Sequence, residues 1–543
     1  MEMVCLLIKG IGMKIALIAP PYPLEEVPAP PLGLTYIAAV CEAIGAEVTL
    51  LDYIVRGYSE SKLKQELNAF DPDIVGTNSV TMNFKQAAGI LRTVKQNNPH
   101  IITLMGGPHV SFDSENTLVL YPEIDIIVRG EGEATLAELL GVIHDQEKWI
   151  TIPGIVFKER GQIRTTEPRP FIQDLDALPL PARHLLPMAR YQALGYPVSI
   201  ITSRGCPNHC IFCLGRRMVG QRVRFRSAGH IADEIEQLQA LGISFINIAD
   251  DLFTASKRRV TQFCNELLRR DLHISWSAFS RVNTIDTETL KLMKSAGCHS
   301  VSFGIESGNP EMLKRVKKGI TIAQAKKASL ACQEAGIRGH ASFMVGLPGE
   351  TMETMNDSLK LQNDLEIESA FHFLSPFPGT AVRENIADYD LEILTHDWDQ
   401  YNANSSIVRT STLSAEQMDA FIHDAGARNR DEWEALKKKY ENKTATPYEQ
   451  MQVGGFYRME MIFKLLTQDL LEQHSVSAPD HDTALKALSE EISSMTGLDT
   501  GFTEFTLKDL MAKGYIQWEE SMGKFHFSWA HHSQPKQVME FAK

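Results

Sequence analysis

The sequence predicts an α/β protein with a doubly wound parallel sheet, then a partial (β/α)6 barrel, then a mostly helical C-terminal region. Residues 13–150 alternate continuous β-branched runs with amphipathic helices, the pattern of a Rossmann-like sheet covered on both faces. Six further strand–helix units follow between 196 and 390, too few for a complete eight-fold barrel. At 543 residues the chain exceeds one hydrophobic core, and length alone suggests roughly three to four domains.

The run MKIALIAPP opens the first unit and breaks into a loop containing Pro20, Pro21, Pro23, Pro28, Pro30 and Pro31. The first helix is GLTYIAAVCEAIG. The strands EVTLLDY, DIVGTNSV, IITLMGG and IDIIVRGEGE follow. Between and after them lie the helices SKLKQELNAF, FKQAAGILRTVKQ and TLAELLGVI and the loop PHVSF. Ligands of such sheets bind outside the carboxyl ends of the strands. Residues 1–12 read as an N-terminal tail. The proline-punctuated stretch 151–195 reads as a linker, with a hairpin-like piece GIVFKERGQIRT.

The barrel strands are VSIITSRG, ISFINIADD, HISWSAFSR, HSVSFGIES, IRGHASFMVGLPG and SAFHFLSPFPG. HIADEIEQLQALG and TETLKLMKSAG are among the helices between them. Residues 391–543 turn helical and acidic. They end in TLKDLMAKGYIQWEESMGKFHFSW, a helix and hairpin that predict a winged-helix-like unit. The aromatic series Phe502, Phe505, Tyr515, Trp518, Phe525, Phe527 and Trp529 reads as that unit's own core.

A hydrophobic content of 43% and a charged content of 22% belong to an ordinary soluble protein. The net charge of −14 argues against an extended nucleic-acid surface, which needs a basic face. Residues 441–543 hold nine Lys/Arg against fifteen Asp/Glu, so a DNA-reading role for the C-terminal unit is disfavoured. No run approaches the ~20 apolar residues of a membrane span. The N-terminus shows neither a basic leader nor a small-residue cleavage site, so a cytoplasmic location is expected.

Eight cysteines are too few for a disulfide scaffold. Cys5, Cys41, Cys264, Cys298 and Cys332 sit among apolar neighbours and read as core thiols. The other three, Cys206, Cys210 and Cys213, lie in SRGCPNHCIFCLG as C-x3-C-x2-C, directly after the first barrel strand. Thiolates are soft ligands for iron, and three of them leave one iron of a cubane open. Zinc would need a fourth ligand, and His209, the near candidate, lies inside the first cysteine gap.

This motif, with Phe212 at the aromatic position before the last cysteine, resembles the signature of the radical S-adenosylmethionine (SAM) superfamily. The resemblance covers roughly residues 196–380. It implies a [4Fe–4S] cluster whose open iron chelates the amino and carboxylate groups of SAM. One electron, from a donor such as flavodoxin or ferredoxin, then gives a 5′-deoxyadenosyl radical under anaerobic conditions. It also implies roles for later loops. Asp250 and Asp251 would meet the SAM amino group, Arg281 its carboxylate, Glu306 its ribose, and the backbone at Gly346 its adenine.

The first unit resembles the cobalamin-binding domain that precedes the barrel in one class of that superfamily, which also contains the anaerobic magnesium-protoporphyrin monomethyl ester cyclase. The matching pieces are APPLGLTYIAA, LLDY, GTNSVTMNF, GGPHVSF and VRGEGE. Gly76, Thr77, Ser79, Thr81, Gly106, Gly107, His109 and Glu131 are the cobalamin-site candidates on that resemblance. No Asp-x-His-x-x-Gly string occurs in residues 1–150, so a base-displaced cobalamin without a histidine ligand is expected. His109 is the one substitute the sequence offers. With both cofactors the resemblance implies methylation of an unactivated carbon. The alternatives are cyclisation, rearrangement or oxygen insertion by the same machinery and, more remotely, a cobalamin-sensing DNA-binding regulator. A small molecule, a lipid, a porphyrin or a peptide would serve as substrate.

Overall fold

A computed structural model describes residues 12–22 and 28–533. Residues 1–11 of the expected tail, Cys5 among them, and Pro23 lie outside the described residues. The first sheet holds β1 (Lys14–Ala19), β2 (Glu47–Asp52), β3 (Ile74–Asn78), β4 (Ile102–Gly106) and β5 (Ile126–Val128). All five run parallel in the order β2-β1-β3-β4-β5. The strand order reverses between β1 and β3, which opens a ligand crevice at their carboxyl ends.

Two expectations need correction here. The stretch 151–195 is not merely a linker, because β6 (Ile155–Glu159) and β7 (Gln162–Thr165) extend the sheet antiparallel beyond β5. Ile155, Val156 and Phe157 are fully buried. Arg160 and Gly161, with φ of 50° and 80°, make the tight two-residue turn that lets this run fold back. Likewise PHVSF is a short helix, Pro108–Phe112, not a loop, with proline at the first helical position where its missing N–H costs nothing.

The second sheet begins with β8 (Val198–Ile200). The short antiparallel pair β9 (Ser203–Arg204) and β10 (Arg224–Phe225) braces the loop that follows. β11 (Phe245–Ile248), β12 (Ser275–Ser280), β13 (Cys298–Glu306), β14 (Arg338–Val345) and β15 (Glu368–Phe373) complete it. These six strands run parallel as β8-β11-β12-β13-β14-β15, an open partial barrel. Its helices start on side-chain caps at Ser227, Ser256, Asp286, Thr321 and Thr351.

Beyond the barrel, β16 (Glu392–Ile393) pairs with β17 (Val408–Arg409), and Tyr401, Ile407 and Val408 pack on Leu374 and Val382. The helices Pro447–Thr467, His481–Thr496 and Thr500–Ala512 lead into a sheet of β18 (Ser475–Ser477), β19 (Ile516–Ser521) and β20 (Lys524–Trp529). Phe525, Phe527 and Trp529 are core there, together with Tyr191 and Leu194 from the expected linker. Phe505 and Trp518 instead stand 69% and 37% exposed. Among the described residues no helix is long and apolar enough to cross a membrane.

A buried ion pair ties the stretch before the barrel to the barrel, and a hydrogen bond to Tyr36 joins the first unit to it. Glu234 is fully buried between Arg183 and Arg226, and Arg226 also donates to the Tyr36 hydroxyl at 3.4 Å. Burial alone would push the Glu234 carboxyl up, but the two guanidiniums outweigh it and hold it below the usual range. Replacing Glu234 with alanine strands two buried cations. We expect a loss of about 3–5 kcal/mol in barrel stability, read from denaturant unfolding of the full chain.

Candidate functional site

The three signature cysteines line one cavity of about 810 Å³ at the carboxyl ends of the barrel strands. Gly205 turns the chain into this loop at φ 118°, where a Cβ would lie 2.3 Å from the Arg222 carbonyl oxygen. The loop is then pinned by Cys206 N donating to Gly220 O at 3.0 Å and Ile211 N to Val316 O at 3.2 Å. None of the three thiols is in a disulfide. Each sulfur faces a single donor: Asn208 Nδ2 to Cys206 at 3.3 Å, Gly215 N to Cys213 at 3.4 Å, and Arg281 Nη1 to Cys210 at 3.7 Å. Donors aimed at sulfur suit anionic thiolates, so this ligand set fits an iron–sulfur cluster. Desolvation pushes the Cys213 thiol up to about 11.

Phe212, Asp251, Arg281 and Glu306 line the same cavity. Glu306 ends β13 at φ 73°, after a register shift at Gly304 that turns its carboxylate inward. Lys318 Nζ meets Glu306 Oε1 at 2.6 Å, and Arg281 donates to the Lys318 carbonyl. A Cβ on Gly304 would come within 2.5 Å of Glu306 Oε1, so glycine makes room for the pair. Neither Asn208 nor Lys318 was singled out in the sequence. Nothing in the spacing of KKG marks a lysine that folds back onto a carboxylate.

Two SAM-site expectations are corrected. Asp250 is buried and turned away from the cavity. Its carboxylate accepts from the backbone N–H of Thr202 and Ser203 at 2.6 and 3.0 Å and from their hydroxyls at 2.5 and 2.7 Å. Such a saturated carboxylate holds β9 in place and has no acceptor left for a ligand. Gly346 does not line the cavity: a Cβ there would meet Val408 at 2.9 Å, and its N–H donates to Glu350 Oε2 at 2.6 Å.

A second cavity, about 290 Å³, lies where the β1/β3 crevice faces the barrel. Gly76, Thr77, Gly106, Gly107 and Glu131 line it from one side, and Ser203, Arg204 and Asp251 from the other. Gly107 has φ 105°, and a Cβ would lie 2.4 Å from the Ser79 carbonyl oxygen. Bare glycine backbone thus forms part of the wall, and Leu17, Leu34, Tyr36, Ile37 and Leu104 add apolar side chains to it. Asp251 belongs to both cavities.

Five cobalamin-site expectations change. Ser79, Thr81 and His109 lie behind the cavity wall. The His109 ring stacks on Phe84 at 4.1 Å, meets Trp398 edge-on at 5.0 Å, and contacts Thr81 Oγ1 through Nδ1 at 3.4 Å. Burial lowers it to about 3, so it is a neutral ring packed between Phe84 and Trp398, outside the lining of this cavity. Glu131 lines the cavity, but its carboxylate is spent on Arg224 at 2.7 and 2.9 Å and on the Ile172 N–H at 2.7 Å. Thr77 likewise spends its hydroxyl on Ile18 O at 2.8 Å and offers only backbone and methyl.

Profiles described as the Radical SAM superfamily and the B12 binding domain match residues 200–361 and 26–140. An uncharacterized methyltransferase of Pyrococcus horikoshii is 36% identical over 421 residues, 76% of this chain and 91% of that protein. The chain belongs to the cobalamin-dependent radical SAM family. A further relative is the anaerobic magnesium-protoporphyrin IX monomethyl ester cyclase of Rubrivivax gelatinosus, 30% identical over 71% of this chain and 70% of its own length. Among solved structures, the radical SAM methyltransferase TsrM from Kitasatospora setae aligns with a TM-score of 0.64 at 21% identity, over 76% of this chain and 88% of that one. At that identity the likeness speaks to the fold. This cobalamin-dependent radical SAM enzyme uses a [4Fe–4S] cluster, SAM and cobalamin.

His109→Phe tests the aromatic assignment. A histidine held near 3 stabilises the fold fully above its unfolded value of ~6.5, and that contribution fades as pH falls toward 3. The variant should lose stability less steeply between those limits in pH-dependent melts. Its cobalamin affinity, read by absorption titration, should match the parent within about twofold.

Proposed function

We propose that this enzyme methylates an unactivated carbon of a small organic substrate. The observation that carries the reading is the meeting of two cavities at Asp251, one ringed by the cysteines and one walled by glycine backbone. When bound, the cluster and SAM supply a 5′-deoxyadenosyl radical for hydrogen abstraction, and cobalamin supplies the methyl group.

The chain's own residues do the positioning. Cys206, Cys210 and Cys213 ligate iron. Arg281, buried and already donating to the Lys318 carbonyl, directs its remaining N–H groups at the SAM carboxylate. Asp251 accepts from the amino group. Glu306, kept in place by Lys318, accepts from the ribose hydroxyls. Phe212 and Phe279 supply apolar wall to the cavity. Division into residues 13–150, 196–390 and 391–543 assigns cobalamin to the first unit and the cluster to the second. Flavodoxin or ferredoxin fits as reductant.

Anaerobic reconstitution with iron, sulfide and hydroxocobalamin, followed by SAM and dithionite, tests this. Wild type should release 5′-deoxyadenosine, and with its substrate S-adenosylhomocysteine as well. The Cys206→Ala, Cys210→Ala, Cys213→Ala triple variant should form neither above background. A cyclase-type reaction would give 5′-deoxyadenosine without S-adenosylhomocysteine. Lys318→Met leaves the Glu306 carboxylate unpaired, so the KM for SAM should rise about tenfold in the 5′-deoxyadenosine assay, with Lys318→Arg recovering most of it.

A further inference from the structure

We infer that the substrate carries an anionic group, a carboxylate or a phosphate, bound by Arg217 at the mouth of the cluster cavity. The inference rests on reading that cavity as the place where substrate is methylated.

Arg217 lines the cavity from the short helix Gly215–Val219 that leaves the cysteine loop. Two contacts fix its guanidinium in advance. It lies over the Phe112 ring at 5.1 Å, and its Nη1 donates to the Gly379 carbonyl at 2.7 Å. The stack is built for this residue: a Cβ on Gly379 would fall 2.3 Å from Phe112 Cγ, so only glycine lets the carbonyl, ring and guanidinium assemble.

Arg217 nevertheless lacks an anion. Of the arginines at the two cavities, Arg204 pairs with Glu133 and Arg224 with Glu131, whereas, among the described residues, the buried Arg281 and the exposed Arg217 meet no carboxylate. Among the described residues no carboxylate pairs with Arg217, although the chain carries 68 acidic residues against 54 Lys and Arg. A rigid planar fork with free N–H groups recognises carboxylate or phosphate bidentately. Phe112, Phe171 and Phe279 line the same space and favour an apolar body behind the charged head.

Saturation-transfer difference NMR on the full chain tests this without any turnover, using benzoate, phenyl phosphate and the neutral benzamide, with phosphorus NMR line broadening reporting inorganic phosphate. Benzoate or phenyl phosphate should bind, and benzamide should bind at least about tenfold more weakly. Binding of inorganic phosphate alone would overturn the apolar-body part of the inference, and preference between benzoate and phenyl phosphate names the head group. Arg217→Met should weaken the favoured anion about tenfold, and Arg217→Lys, which keeps the charge but loses the planar fork and the stack, by about fivefold. If the Met variant does not fold, Phe112→Leu carries the test, since loss of the supporting ring should weaken the anion about threefold.

Binding of benzoate equal to that of benzamide, or unchanged in both variants, would overturn the proposal. It would leave Arg217 to balance cluster charge or to meet an acidic reductant. Wild-type release of 5′-deoxyadenosine, measured separately, shows whether the reading of the cavity itself stands when the anion site fails.

Discussion

Four buried charges hold the two cavities in register. Arg204 reaches Glu133 at 2.6 Å and Glu131 at 3.3 Å, and Arg224 meets Glu131 at 2.7 Å. Ions removed from water are tolerated only when paired, and breaking one pair costs several kcal/mol. That penalty fixes geometry here, because Arg204 and Arg224 lie on the β9–β10 pair while Glu131 and Glu133 open the helix Gly132–Leu140 of the first unit. Arg204 stands two residues before Cys206, while Glu131 and Glu133 sit at the helix start that walls the glycine cavity. One network therefore sets the cysteine loop against the cradle. A reaction in which a single C–H must lie within reach of two cofactors needs that accuracy, since small misplacements are expensive in rate.

The covering elements follow the same logic. Phe112 and Phe171 approach the cluster-loop helix from outside the barrel, and Gly379 and Gly220 admit them by lacking side chains. Tyr401, Ile407 and Val408 seal the far side against Leu374 and Val382. The site is a junction of the first sheet, the barrel and the segment after it. No one of these alone encloses it.

Much of this was legible in the sequence. The parallel strands are continuous apolar runs, and both sheets were readable to within a few residues at their ends. The cysteine spacing is local, so the loop's chemistry survives translation from sequence to structure. Side-chain direction was not legible. Asp250 and Asp251 are neighbours just past one strand end, yet the first turns to Thr202 and Ser203 and the second into the cavities. His109 and Glu131 looked like ligand contacts because they follow glycine-rich turns. Their partners, Trp398 and Arg224, lie 289 and 93 positions away, and no local pattern announces them. The linker's hairpin was visible as a pattern, but its place on the sheet edge depended on burial that only the fold reveals.

The central claim is that the cysteine-lined and glycine-walled cavities hold their groups as immediate neighbours. Electron paramagnetic resonance of reconstituted enzyme, reduced to leave cob(II)alamin beside a one-electron-reduced cluster, measures this directly. The account predicts a cob(II)alamin signal broadened and relaxing faster through coupling to the cluster, with the effect gone when the three cysteines are alanine. Two independent, uncoupled signals in the wild-type enzyme would contradict it.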